Sequence, residues 1–103
     1  MKSKKLPPIH PGTILNKEFL IPRKISQTKL ATSIKVPMKS VKDICQAKKP
    51  IDAEMALRLG TYFGVSAELW LGLQQDYERE CLEDILETNG KSIKKEIKSL
   101  VLL

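Results

Sequence analysis

Hydrogen-bond donors that suit a nucleic acid are concentrated between residues 27 and 49. Lysine, amide and hydroxyl groups can bind phosphate oxygens, and lysine can also donate to guanine in the major groove. The candidate nucleic-acid-binding residues are Gln27, Thr28, Met38, Lys39, Ser40, Lys42, Lys48 and Lys49. Among them, Lys39 and Lys42 are predicted to contact base edges, and phosphate contacts are predicted at Gln27, Thr28, Lys48 and Lys49.

Two members of this set have a structural alternative. Met38 could touch a thymine methyl group, or it could fill a gap in the core, as the flexible methionine side chain often does. Ser40 could reach a phosphate, or it could lie on a helix without any ligand. The sequence leaves both alternatives open.

Residue types that serve catalysis or metal binding are few and scattered. His10 is the only histidine, and no second ligand stands at metal-binding spacing, so we expect a local polar or capping role for it. Cys45 and Cys81 are expected to be small core residues rather than nucleophiles. The acidic side chains between residues 78 and 87 are expected to form a solvated helix face. We therefore expect no enzymatic activity and no metal or other cofactor.

Charge is distributed unevenly along the chain, whose formal net charge is +6. Residues 1–50 carry +10, residues 51–90 carry −7, and residues 91–103 carry +3. A basic half attracts a polyanion, and an acidic segment can attract a cationic protein. The alternative is that these are simply two solvated faces of a small protein.

A length of 103 residues corresponds to one domain, and the 42% apolar fraction is typical of a globular chain. No apolar run approaches the roughly 20 residues of a membrane-spanning helix. The charged N-terminal residues lead into no hydrophobic segment, so we expect no secretory signal. With two separated cysteines, these features favour a cytoplasmic protein with reduced thiols and no membrane association.

Hydrophobic periodicity and capping residues predict an all-α fold. A first helix is expected to begin at Pro11 and end before Pro22, and further helices are expected at 27–34 and 38–46. Asp52 and Ser66 are expected to cap a fourth helix ending at Phe63 and a fifth reaching about Glu87. Asn89-Gly90 should stop the fifth helix, with a possible sixth beyond it. The predicted organisation is a flexible basic arm (1–8), a DNA-binding domain (9–87) and a basic amphipathic tail (88–103).

The segment 27–46 has the spacing of two helices that cross at a steep angle. Ala31 supplies the small residue needed at their closest approach, and Val36 can fill the corner between them. Val41 and Ile44, one turn apart, would hold the second helix against the first. Lys39 and Lys42 would then face outward, which is the arrangement of a helix-turn-helix whose second helix enters the major groove.

This segment resembles the helix-turn-helix of the phage-repressor-like (XRE) regulators, in which glutamine opens the first helix ahead of a Leu-Ala pair, here Gln27 and Leu30-Ala31. The residues Ile9-His10-Pro11-Gly12-Thr13-Ile14-Leu15 and Leu69-Trp70-Leu71-Gly72-Leu73-Gln74 are similar to the two flanking signatures of HigA antitoxins, also called virulence-associated protein I. Lys48-Lys49-Pro50-Ile51 and Ala56-Leu57-Arg58-Leu59 also match. The resemblance covers roughly residues 9–80.

The resemblance implies a lambda-repressor-like five-helix bundle and a type II toxin–antitoxin role. HigA antitoxins dimerise, bind an operator palindrome in double-stranded DNA, and repress their own operon. They also neutralise a HigB toxin, a RelE-like ribonuclease that cuts mRNA. The alternatives are a stand-alone XRE regulator without a toxin and, more remotely, an RNA-binding module, although the basic half lacks the aromatic residues that stack on bases.

One residue departs from the family pattern, and one group of residues has two interpretations. Lys35 stands where the family usually has a turn glycine, so a left-handed backbone there should cost about 1 kcal/mol and could alter the turn. Trp70, Leu73 and Tyr77 share one face of the fifth helix. We predict that they form a dimer interface, with the intramolecular core as the alternative.

Overall fold

The computed structural model describes residues 6–101, and it contains helices and no strands within that range. The elements are α1 (Pro11–Ile14), a π-helical segment (Leu15–Leu20), α2 (Gln27–Ile34), α3 (Met38–Cys45), α4 (Ala53–Phe63) and α5 (Ala67–Glu96). This is the predicted all-α architecture. Most of the predicted basic arm, residues 1–5, lies outside the described residues, and the division between domain and tail at residue 88 stays a prediction.

Aliphatic side chains build the core, as the low aromatic content predicts. The buried apolar residues come from the π-helical segment, from the helices α2 to α5 and from the loop before α4, and they are Leu15, Leu20, Leu30, Ala31, Ile34, Val41, Ile44, Ile51, Met55, Ala56, Leu59 and Trp70. Phe19 and Phe63 pack at the edge of this cluster, with ring centroids 4.7 and 6.2 Å from that of Trp70.

The first predicted helix is present, but its second half is a π-helix. Leu15 and Leu20 are five residues apart and both 1% exposed, a spacing that a wider turn brings to one face. The amide of Ile21 correspondingly donates to the carbonyl of Asn16, at 2.9 Å. The segment ends before Pro22, which has no amide hydrogen to continue it.

Local caps set the starts of the other helices. Ser26 accepts from the Lys29 amide, Asp52 from the Met55 amide and Ser66 from the Glu68 amide, at 2.9–3.0 Å. Each side-chain oxygen satisfies an amide that has no partner inside its helix. The predicted capping roles of Asp52 and Ser66 are confirmed, and Ser26 caps α2 in the same way.

A kink at Asn89 divides α5 into two helices. Asn89 leaves helical geometry, with φ −144° and ψ 26°, and a second helix follows it to Glu96. The prediction that the fifth helix is interrupted at Asn89-Gly90 is therefore confirmed. Gly90 does not adopt the positive φ of a helix-ending glycine, so the chain is kinked at Asn89 without reversing direction. The possible sixth helix is the far part of α5.

The helix-turn-helix turn contains the left-handed residue that its geometry requires. Lys35 has φ 60° and ψ 51°. The amides of Lys35 and Val36 donate back to Thr32 and Ala31, at 3.3 and 3.0 Å, in the manner of a Schellman motif. Arg58 of α4 donates to the Ile34 carbonyl at 2.7 Å, which ties the end of α2 to α4. Lysine thus takes the conformation that a glycine would take, rather than altering the turn.

The first residues of α1 include a cap at His10 and a close approach of Gly12 to the end of α3. The His10 side chain caps α1 by accepting from the Gly12 amide through Nδ1, at 2.9 Å, which confirms its predicted capping role. Pro11 occupies the first helical turn, where its missing amide hydrogen costs nothing. A Cβ placed on Gly12 would overlap the backbone carbonyl of Ile44. The backbone of α1 therefore touches the last turn of α3 directly.

Replacing Gly12 with alanine should displace one of these two backbones. We expect G12A to lower the free energy of unfolding by about 3 kcal/mol or more, because the overlap involves main-chain atoms that cannot rotate away. The matched control is G72A in α5, where a Cβ would have no neighbour within 4 Å. That change should stabilise the protein by about 0.5–1 kcal/mol, since alanine favours a helix over glycine. Urea unfolding measures the free energy of unfolding of both variants, and equal values would contradict the importance of the contact at Gly12.

The buried His10 should make stability depend on pH. Burial lowers the pKa of His10 below its ordinary 6.5, although the Glu78 carboxylate partly opposes this. As pH falls below 6.5, the unfolded chain takes up a proton before the folded chain does, so the contribution of neutral His10 is complete above pH 6.5 and is lost below it. We expect Tm to fall between pH 7 and 5 and H10N, which can cap but cannot titrate, to show a smaller fall. Parallel Tm curves for the two proteins would refute this.

Candidate nucleic-acid interface

The two sides of α3 are chemically distinct. Val41 and Ile44 are each 1% exposed and pack into the core, whereas Lys39 and Lys42 are on the solvent side. The helix is therefore held by its apolar side and presents lysines on the other. This is the geometry predicted for a helix that enters a major groove.

Lys39 and Lys42 differ in how they are held. Lys39 Nζ lies 2.9 Å from Asp43 Oδ2, one helical turn away, in an exposed ion pair. The hydrogen bond from Lys39 lowers the pKa of Asp43, so this carboxyl remains ionised at neutral pH. Within residues 6–101, Lys42 has no ion-pair partner. A polyanion would have to displace Asp43 to engage Lys39, whereas Lys42 is available without a competing carboxylate.

The starts of α2 and α3 meet at the same surface. Thr28 Oγ1 donates a weak hydrogen bond to Met38 Sδ at 3.6 Å. Met38 is 41% exposed, so the alternative in which it fills the core is wrong. Gln27 is half-buried as the first residue of α2, directly after the Ser26 cap. Thr28 and Met38 thus place the start of α2 beside the lysine-bearing side of α3.

The basic loop after α3 extends this surface. Lys49 Nζ donates to Ser40 Oγ at 3.3 Å, so Ser40 faces the loop. Lys48 lines an open groove of about 470 Å³ along α3, and the other lining residues are Met38, Lys39, Lys42, Asp43 and Gln46. The structure therefore gathers four of the predicted residues around this groove, with Thr28 in contact with one of them, Met38, and it pairs Ser40 with Lys49 beside the groove-bearing helix. For Gln27, only its position beside Thr28 is established.

The residues predicted to form a dimer interface pack largely against the core of their own chain. Trp70 is 0% exposed and packs against Phe19, which leaves it no surface to offer a partner. The prediction that Trp70 lies at an interface is wrong, and its intramolecular alternative holds. Leu73 packs on the same core, and Tyr77 meets the His10 ring edge-on, with centroids 4.9 Å apart. Both keep part of their surface exposed.

Two polar residues of the family signatures have a structural part in this region that the sequence alone did not assign to them. Arg58 joins α4 to the helix-turn-helix turn. Gln74, only 8% exposed, accepts from the Ile51 amide at 2.9 Å and donates to Glu78 at 2.8 Å. The available signal for Gln74 was a polar residue four positions after Trp70, on the apolar side of α5. Such a residue needs a partner inside the fold.

Relatives among known proteins match most of the length of this chain. No family model matches it. Virulence-associated protein I of Dichelobacter nodosus is 38% identical over 78 residues, which span 76% of this chain and 72% of that protein. No helix in the described part of the chain is long and apolar enough to cross a membrane.

Solved structures agree in fold and in sequence. The Pseudomonas aeruginosa antitoxin HigA, determined with the higBA promoter, is 45% identical with a TM-score of 0.73, covering 91% of this chain and 99% of that one. An addiction-module antidote protein of the HigA family from Coxiella burnetii is 37% identical with a TM-score of 0.74, at 91% and 99% coverage. With its helix-turn-helix and both flanking signatures, this chain belongs to the HigA family of antitoxins.

Proposed function

We propose that this protein is a sequence-specific DNA-binding antitoxin that represses its own operon and neutralises a RelE-like, mRNA-cleaving toxin of the HigB type. The observation that carries the DNA-binding part is the continuous basic surface formed by the outer side of α3 and the loop that follows it. The 45% identity to a HigA antitoxin determined with its promoter supports the same conclusion. The toxin partner is inferred from family membership alone.

Binding to DNA would proceed in two stages. Phosphates are captured first by Lys48, Lys49 and the start of α2, where amide groups and the Thr28 hydroxyl can donate. Lys42 then reads a base edge in the major groove. Lys39 joins it by giving up its ion pair with Asp43 and donating to the DNA instead. Met38, exposed beside Thr28, is placed to contact a thymine methyl group.

A palindromic operator requires two copies related by a two-fold axis, with recognition helices about 34 Å apart. We therefore propose a homodimer, to which Leu73 and Tyr77 contribute only their exposed parts. More apolar surface is available further along α5, where Leu82, Ile85, Leu86 and Ile93 are 37–54% exposed. Because the same side of α5 is present on both copies, it can form a symmetric contact with itself.

The protein would act by binding alone, without catalysis and without a metal or cofactor. Its relatives are antitoxins and transcriptional regulators. An operator and an mRNA-cleaving toxin are both found in the bacterial cytoplasm, so we propose that the protein works there. A stand-alone regulator is the alternative function, and it differs only in having no toxin partner.

DNA binding should fall steeply with salt and depend on Lys42. For about five phosphate contacts per subunit, the log–log slope of affinity against salt should be near −9 for the dimer. K42A should weaken binding to a 30-bp duplex from directly upstream of the gene by about 1–3 kcal/mol, with a smaller effect on a shuffled duplex. K95A, which removes the same charge at the far end of α5, is the control.

Fluorescence anisotropy measures each of these affinities. An equal loss on both duplexes would make Lys42 a phosphate contact rather than a base-reading residue. Preference for single-stranded RNA over either duplex would overturn DNA binding altogether.

The toxin assignment predicts a neighbouring reading frame that encodes a small basic protein. Expression of that protein alone should arrest growth, and co-expression of this chain should restore growth and yield a complex that co-purifies. K42A should rescue equally well, because the recognition helix is needed for the operator and not for the toxin. Absence of such a reading frame, or growth arrest that the antitoxin does not relieve, would favour the stand-alone regulator.

A further inference from the structure

The basic loop between α3 and α4 is attached to the protein at both ends. At its start, the amides of Ala47 and Lys48 donate back to Ile44 and Asp43, at 3.0 and 2.7 Å, and Ala47 adopts a left-handed φ of 63°. At its end, Ile51 is 1% exposed and its amide donates to Gln74 Oε1 at 2.9 Å. The two lysines of the loop therefore lie between an attachment to α3 and an attachment to α5.

The second attachment can set the position of Lys49, because the intervening chain is stiff. Pro50 has a fixed φ, and the residue that precedes a proline is restricted to extended conformations. The position of Ile51 therefore restricts where the Lys49 backbone lies, together with the hydrogen bond between His10 and the Lys49 backbone. From there the Lys49 side chain reaches Ser40 on α3, with Nζ 3.3 Å from Oγ.

Both ends of the Gln74 side-chain amide are engaged. Its nitrogen donates to Glu78 Oε2 at 2.8 Å, which orients the amide so that its oxygen faces Ile51. An apolar residue at position 74 would fill similar space and leave the buried Ile51 amide without an acceptor. The polar side chain on this buried side of α5 thus specifies the conformation of the loop.

We propose that Gln74 is a positioning residue for DNA binding, acting with Glu78 to hold the loop so that Lys48 and Lys49 meet the phosphate backbone. This inference rests on the proposed DNA-binding function and assigns to α5 a part in it. Gln74 itself does not touch the DNA. Its effect reaches the duplex through Ile51, Pro50 and the two lysines.

A double-mutant cycle tests the proposal on the same 30-bp upstream duplex. Q74M keeps a side chain of similar length but removes both hydrogen bonds. It should weaken binding about tenfold and make the salt slope shallower, by up to about 3–4 for a dimer that loses two phosphate contacts per subunit. The combined variant K48A/K49A should weaken binding of the wild type but cause much less further loss in the Q74M background, because the lysines are already displaced.

The swapped variant Q74E/E78Q separates positioning from simple stability. It retains an acceptor for the Ile51 amide and a hydrogen bond between the two side chains, with donor and acceptor exchanged and net charge unchanged. We expect it to restore the wild-type salt slope. Q75M, on the exposed neighbouring residue, should leave binding unchanged. Circular dichroism and Tm confirm that each variant is folded, and if Q74M does not fold, Q74A, which also removes both hydrogen bonds, serves in the same cycle.

The outcomes distinguish the two proposals. Additive losses for position 74 and the lysine pair, or an unchanged salt slope in folded Q74M, would overturn the role of Gln74 while leaving DNA binding intact. Failure of the wild type itself to bind the duplex with a steep salt dependence would instead overturn the proposed function.

Discussion

The direct contact between the backbones of α1 and α3 is the constraint on which the placement of the lysine-bearing side of α3 depends. Gly12 lies against the Ile44 carbonyl without a side chain between them. Helices that touch through main-chain atoms cannot slide or repack as they can when flexible side chains separate them. The last turn of α3 is consequently fixed from behind, while Val41 and Ile44 anchor the helix to the core. What remains free is the lysine-bearing side.

Left-handed residues other than glycine recur where the helices of this region end. Lys24, Lys35 and Ala47 have φ values of 55°, 60° and 63°. Each conformation is costly for a residue with a Cβ, yet each allows amides after the helix to bond to carbonyls of its last turn. At Lys35 the cost is further offset by Arg58, which binds the adjacent carbonyl from α4. The positions of the turn and of the basic loop therefore come from hydrogen bonding rather than from residue preference.

The lysine-bearing surface and the body of the protein are connected by a small number of buried polar contacts. His10 caps α1 and meets Tyr77 of α5, while Gln74 of α5 accepts from the amide that ends the basic loop. Buried polar groups carry strict geometric requirements, because an unsatisfied one is costly. These contacts give α5 two connections to the region around the recognition helix, in addition to its apolar packing through Trp70.

Local features of the sequence were sufficient to predict the helix starts, the helix-turn-helix and the chemistry of its outer side. A cap such as Ser26, or the apolar spacing of Val41 and Ile44, acts within one or two helical turns, so neighbouring residues determine it. For other residues the surroundings come from distant parts of the chain, and their burial and hydrogen-bond partners were decided only by the tertiary structure. Trp70 is buried because Phe19 and Phe63 cover it, Met38 is exposed beside Thr28, and Gln74 finds the Ile51 amide 23 positions away. Such partners meet only when the helices pack, and no local pattern records which of them will do so.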